Sequence, residues 1–397
     1  MKRGLTLGLY LLAPMLSAVT PLLVFPSVTS VHGAAGLAAV GVAQSLGAAA
    51  AVVGELGWSV VGPQKIAALG ASERAELMRT SVATRSLAFL LLLPVAAVLT
   101  YIVSPSFPIE AAVIALGFAS VGFSPSWALM GANRPGLILV FDSIPKILLV
   151  AGAAVAIRMG ASLAVYGLAL LAATAVITIA GWFIFGVHRT ASKLTRAEIV
   201  RSIRGQGRIT VSRAITAGFT ALPVTLVALV APAAVPLFTA VDRLARMALS
   251  VLAAVPNRLQ SWLGAATIEN RGLRNRRQLQ INAGLGVVAA IGYAFLLPYV
   301  ATFVFTGSVE VDATLAWLSA GVVLMVCASR GFGLSLVAFS RTDWLMPASI
   351  AAAVVGLTLV LSLGSTWGAY GAVLGVVAAE ATGAAVQAIG LKLRRQT

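Results

Sequence analysis

Asp242 and Arg246 stand four residues apart in an apolar stretch, and Asp142 and Lys146 repeat that arrangement in an earlier one. With the acid N-terminal and a spacing of i, i+4, each pair can close on one face of a helix and neutralise itself. Closure matters because a charge at mid-membrane costs about 2.5–3.5 kcal/mol on insertion scales. Arg243 has no acid three or four residues away, so it needs a bound anion, a water-filled cavity or an acid from another helix. A guanidinium fork matches phosphate oxygens two at a time. This makes Arg243, with Arg246 one turn on, the candidate anchor for an anionic headgroup. Arg213 is a candidate second contact nearer the inner face, or a side chain that snorkels to the headgroups. Glu55, Glu380 and Asp142 are candidates for ion coupling, with cross-helix bonding as the alternative for the two glutamates. Arg258 and Arg330 fall near inner helix ends and read as interfacial.

These residues must be carried by membrane-spanning helices. The 397 residues are 59% hydrophobic and 10% charged, more apolar surface than a soluble fold can hide. Only helices suit apolar runs of about 20 residues, because an unpaired backbone is not tolerated in lipid. The runs predict an all-α polytopic membrane protein of about twelve spans: 5–26, 36–62, 86–104, 110–131, 137–157, 161–187, 209–231, 236–262, 281–305, 314–337, 345–364 and 367–391. With the N-terminus inside, segments 1–4, 63–85, 132–136, 188–208, 263–280, 338–344 and 392–397 hold 21 of the 28 basic residues, Arg85 among them. The outer segments hold Arg158, with Glu110, Glu310 and Asp312 at the same face. The positive-inside rule therefore puts both termini in the cytoplasm.

Composition narrows the chemistry. A net charge of +16 spread over short loops beside a bilayer is accounted for by anionic headgroups on the cytoplasmic side, not by nucleic acid. Cys327, the one cysteine, falls in a span and can form no intrachain disulfide; His32 and His188 lie on opposite faces, which speaks against a metal site. No GxxxxGK[ST] loop is present for ATP hydrolysis, and outer loops of roughly ten residues leave no room for an external domain. Lys2 and Arg3 before an apolar run resemble a signal peptide, but the run is long and reads as a retained first helix. The expectation is a non-enzyme without cofactors that acts inside its bundle.

The longest polar connection, 188–208, divides an N-terminal six-helix lobe (1–187) from a C-terminal one (209–397). Leu194, Ala197, Val200 and Ile203 recur among its basic residues as in a short helix lying on the inner surface, or in a solvated linker. An internal repeat supports the division. Tyr166–Gly181 and Tyr370–Ala385 match at six of sixteen positions with an offset of 204, and VAQSL (Val42–Leu46) faces AVDRL (Ala240–Leu244). Even-numbered repeats keep one orientation, so the two lobes are expected to face a central cavity. Trp127 and Tyr370 read as interfacial anchors or sugar-stacking platforms. Gly364, Gly368, Gly371 and Gly375 read as a packing ridge.

Several stretches carry a family resemblance. The proline-bearing first span (Pro14, Pro21, Pro26), Gly36–Ala67, SPSWALMGANRP (Ser124–Pro135), TAVDRLAR (Thr239–Arg246) and the YG…E pattern ending at Glu380 resemble Wzx-type polysaccharide flippases. These belong to the multidrug/oligosaccharidyl-lipid/polysaccharide (MOP) exporter superfamily. The resemblance implies alternating-access movement of a polyprenyl-diphosphate-linked oligosaccharide from inner to outer leaflet in a bacterial plasma membrane, with polysaccharide polymerase machinery as a possible partner. The alternatives are a multidrug or cation antiporter of the same superfamily, or a membrane-embedded polymerase or glycosyltransferase. The charge-free span 5–26 and basic candidates deeper in the chain favour an anionic substrate over a cation.

Overall fold

The computed structural model describes residues 20–189, 194–264 and 267–393. Lys2, Arg3, Pro14, Lys193, Arg394, Arg395 and residues 5–19 of the first span lie outside them. Among the described residues the regular structure is helical throughout, as the apolar runs predict. The chain divides into two compact units, Met1–Ala217 and Gly218–Thr397. The first contains α1 (Pro21–Gly54), α2 (Trp58–Ala67), α3 (Ala71–Val103), α4 (Pro108–Ser120), α5 (Ser126–Gly131), α6 (Pro135–Ile138), α7 (Ile144–Arg158) and α8 (Ala164–Ile184). Helix α9 (Arg196–Ala221) carries the junction. The second unit continues with α10 (Pro223–Val230), α11 (Val235–Leu252), α12 (Ala254–Gly264), α13 (Ile268–Val304), α14 (Ala313–Ala338) and α15 (Leu345–Lys392).

Among the described residues, eight helical segments are long and apolar enough to cross a membrane. Two of them are folded back at a glycine. Gly368 in α15 has φ 57° and ψ −129°, values open mainly to glycine, and the chain doubles back there. A Cβ on Gly371 would lie 1.9 Å from the Leu363 carbonyl oxygen, and one on Gly390 2.6 Å from the Trp344 ring. Spans eleven and twelve are thus the limbs of one hairpin, and the glycine ridge lets their backbones touch. Gly33 in α1 (φ 59°) makes the corresponding turn. A Cβ on Gly36 would meet Val28 at 3.0 Å, although residues eight apart on a straight helix are about 12 Å apart. Spans seven and eight are each broken, α9 from α10 at Leu222–Pro223 and α11 from α12 at Ala253. Together these passes accommodate the twelve predicted spans.

The core of the first unit is built on α4, which packs on α1, α3 and α8. In the second, α13, α14 and α15 pack in sequence. Gln278 of α13, fully buried, donates to the Gly331 carbonyl at 3.0 Å and to Ser335 Oγ at 2.8 Å on α14. A buried amide is tolerated here because its N–H groups are met across the helix pair.

Helix α9 differs from the expected short surface helix, because it runs unbroken from the basic connection into span seven. No proline falls between Arg196 and Ala221, so nothing stops the ladder at 208. Its start is a reciprocal cap. The Thr195 amide donates to Glu198 Oε2 at 2.8 Å, and the Glu198 amide donates to Thr195 Oγ1 at 3.3 Å. The bonds from Thr195 hold the Glu198 carboxyl below its ordinary range. A depressed carboxyl contributes stability above its unfolded pKa and loses it as pH falls through the folded one. Amide hydrogen exchange in residues 196–200 is therefore expected to be flat around neutral pH and to quicken below the carboxylate range, once corrected for intrinsic rates. Glu198→Gln should show the faster exchange already at neutral pH.

Candidate functional site

In the first unit the charges gather where α1 ends. Glu55 caps that helix, and the next two residues, Leu56 (φ 52°) and Gly57 (φ 74°), turn the chain into α2. Arg213, about two turns from the end of α9 in the seventh pass, places Nη2 2.5 Å from Glu55 Oε1. Ser59 Oγ donates to the same oxygen at 2.8 Å. Arg213 is therefore held by a carboxylate, and Glu55 has the cross-helix partner that was one of its two alternatives.

The sequence places Arg85 in the basic inner segment 63–85, but the structure buries it completely within α3. Its Nη1 is met by carbonyls that a helix break releases. Pro125 interrupts span four, leaving Gly122 and Ser124 oxygens that accept from Arg85 Nη1 at 3.3 and 3.1 Å. Arg85 Nε reaches the Ser81 carbonyl at 3.2 Å, and the guanidinium lies 5.1 Å from the centre of the Phe123 ring.

Asp142 and Lys146 pair at 3.1 Å, and Ser126 Oγ donates to the other Asp142 oxygen at 3.2 Å. Asp142 sits in a wide π turn, Leu139–Ser143. Pro145 begins α7 and has no N–H to close the α-helical ladder, which explains the wide turn. Trp127 is corrected from interfacial anchor to core residue. It is buried and stacks on Trp58 with ring centres 5.3 Å apart. Tyr370 instead donates its hydroxyl to Asp312 Oδ2 at 2.7 Å.

In the second unit, α11 carries one carboxylate between two guanidiniums. Arg246 Nε lies 2.9 Å from both Asp242 oxygens and its Nη2 2.9 Å from Oδ1. Arg243 Nη1 approaches Asp242 Oδ2 at 3.6 Å. The partner of Arg243 is thus its chain neighbour, outside the i±3 and i±4 spacing at which a helix pairs its side chains. The Asp242 and Arg243 side chains are 8% and 11% exposed, whereas Arg246 is 36% exposed. One carboxylate of α11 thus serves two cations of the same helix, and the Arg246 side chain stays partly exposed. Glu380 stands in α15 and Arg330 in α14. Arg330 is not confined to the interface. Its Nη1 donates at 3.1 Å to the Leu249 carbonyl near the end of α11, which also accepts from the Ala253 amide. Arg258 is exposed.

The sequence matches no family model and no curated protein. Solved structures do match. A multidrug resistance MATE family transporter of the MOP superfamily, inward-facing, aligns with a TM-score of 0.73 and 17% identity over 96% of this chain and 94% of its own. The fold is that of the MATE transporters. A MATE structure in complex with MaD5 aligns at 0.60 with 17% identity (96% and 93% covered), and an outward-facing MATE family transporter of the MOP superfamily at 0.56 with 15% (97% and 94%). With eight helical segments long and apolar enough to cross a membrane among the described residues, the chain has the fold of a multi-pass membrane protein, and irregular backbone in a membrane survives where protein surrounds it. Asp242, Arg243 and Arg246 are one cluster in the second unit of that fold; Glu55 and Arg213 are paired in the first.

Proposed function

We propose that this MATE-fold protein is an exporter that moves a polyprenyl-diphosphate-linked oligosaccharide from the inner to the outer leaflet by alternating access. The host is a bacterial plasma membrane with both termini cytoplasmic. The observation that carries the reading is the gathering of two guanidiniums, Arg243 and Arg246, on Asp242, with Arg246 partly exposed. The first unit supports an anionic cargo by a complementary argument. Its intramembrane acids are spoken for, Glu55 by Arg213 and Asp142 by Lys146, so neither is a bare carboxylate awaiting a cation. The diphosphate would lie against Arg246 and Arg243 while the prenyl chain stays in lipid, and no bond is made or broken.

A second reading is favoured by the fold likeness to multidrug MATE transporters and by Glu380: a multidrug antiporter in which that carboxylate couples transport to protons or sodium. Depletion of the protein in its own host separates the two. The flippase reading expects lipid-linked oligosaccharide to accumulate on the inner leaflet while its synthesis continues. Normal glycan export, with rising sensitivity to cationic drugs, would replace it with the antiporter.

A further inference from the structure

Away from the Asp242 carboxylate, the second unit contains a cleft of about 320 Å³ between the α11–α12 break, the last turns of α14 and the first residue of α15. It is lined by Pro256, Arg330, Gly333, Leu334, Val337 and Leu345. Residues 330, 333, 334 and 337 follow helical spacing, so α14 presents all four on one face. The wall is apolar except for Arg330. Among the described residues, the bond from Nη1 to Leu249 is the one hydrogen bond Arg330 makes; it fixes the guanidinium and leaves further N–H donors for a ligand. Gly333 leaves the space beside the guanidinium open, since a Cβ there would meet nothing nearer than Gln387 Oε1 at 3.8 Å. Val337, 46% exposed, lies at the mouth.

A cation set in an apolar wall, in a space at the lower end of ligand-pocket volumes, suits an anionic amphiphile and not a free sugar or a hydrated ion. We propose that this cleft binds the phosphate of a membrane lipid, with Arg330 as its ligand and Leu334, Val337 and Leu345 around the first methylenes of the lipid. The site faces the same end of the unit as Arg341, whose Nη1 is bonded to the Gly390 carbonyl. By the positive-inside reading that is the cytoplasmic leaflet. Occupancy here requires no transport, so the proposal stands or falls apart from the cargo reading.

The test is lipid retention by the purified full-length protein in detergent, read by native mass spectrometry. Phosphatidylglycerol is titrated against diacylglycerol of the same chains. We expect phosphatidylglycerol to bind about tenfold more tightly, as a charge-assisted hydrogen bond supplies, and Arg330→Gln to remove that preference while Arg330→Lys keeps part of it. Because Arg330 also holds α11, Leu334→Trp is the second variant; it fills the cleft, leaves the guanidinium in place and should lower retention equally. Wild-type preference in both Arg330→Gln and Leu334→Trp would overturn the proposal. Displacement of the lipid by millimolar inorganic phosphate would overturn the lipid assignment in favour of a free anion.

Discussion

Asp242→Asn is expected to cost about 3–5 kcal/mol of stability, because it leaves two guanidiniums of α11 beside one another with no carboxylate between them. Breaking a buried pair by removing one member is far more costly than replacing the pair, since the remaining charge keeps its desolvation cost. Here two cations remain, and Arg243 is nine-tenths buried. The check is the thermal midpoint of purified protein in detergent. A compensating change sharpens it: Asp242→Asn combined with Arg246→Met removes one of the two charges and should recover part of the loss. An unchanged midpoint in Asp242→Asn would mean that water, and not Asp242, solvates the arginines.

The second large effect concerns the α15 hairpin. Gly371→Leu should cost more than about 3 kcal/mol, beyond the usual range of overpacking, because the atom its Cβ meets at 1.9 Å is the Leu363 carbonyl oxygen. Backbone cannot move aside as a side-chain tip can, so the two limbs would have to separate along their length. The expected readout is loss of the monodisperse peak in size-exclusion chromatography. Gly292→Ala is the control; it lies in α13 with nothing within 4 Å of an added Cβ and should elute as wild type. Equal elution of Gly371→Leu and Gly292→Ala would show that the limbs are not in contact.

What the sequence disclosed follows the range of each interaction. Apolar runs of about 20 residues mark passes through a bilayer whatever their partners, so the all-helical, polytopic character was readable. The pairs Asp142–Lys146 and Asp242–Arg246 were readable too, because i, i+4 spacing is a local property of a helix. The Glu55–Arg213 pair joins distant segments, and no spacing within one helix signals it. Arg85 looked like a loop cation because it follows Arg74 and Arg79. Pro125 was the available signal, since a proline inside a span frees carbonyls that a buried donor can meet. Trp127 was misread for a related reason. Aromatics at predicted span ends usually anchor at the interface, but α5 is a short helix packed on α2, with Trp58 under Trp127. The continuous α9 was hidden by its composition, because basic residues interrupt hydropathy without interrupting a helix.

The central claim is an anionic cargo held by the Arg243–Arg246 cluster. The most direct measurement is translocation of a polyprenyl-diphosphate oligosaccharide across proteoliposomes, scored by access of an external glycan-modifying enzyme. Wild-type protein and three variants, Arg243→Lys, Arg243→Gln and Arg243→Ala, would be compared at matched amounts of folded protein. The account predicts translocation by wild type, partial translocation by Arg243→Lys, which keeps the charge but loses the two-pronged fork, and a fall of about tenfold or more in Arg243→Gln and Arg243→Ala. Wild-type translocation by well-folded Arg243→Gln would contradict it.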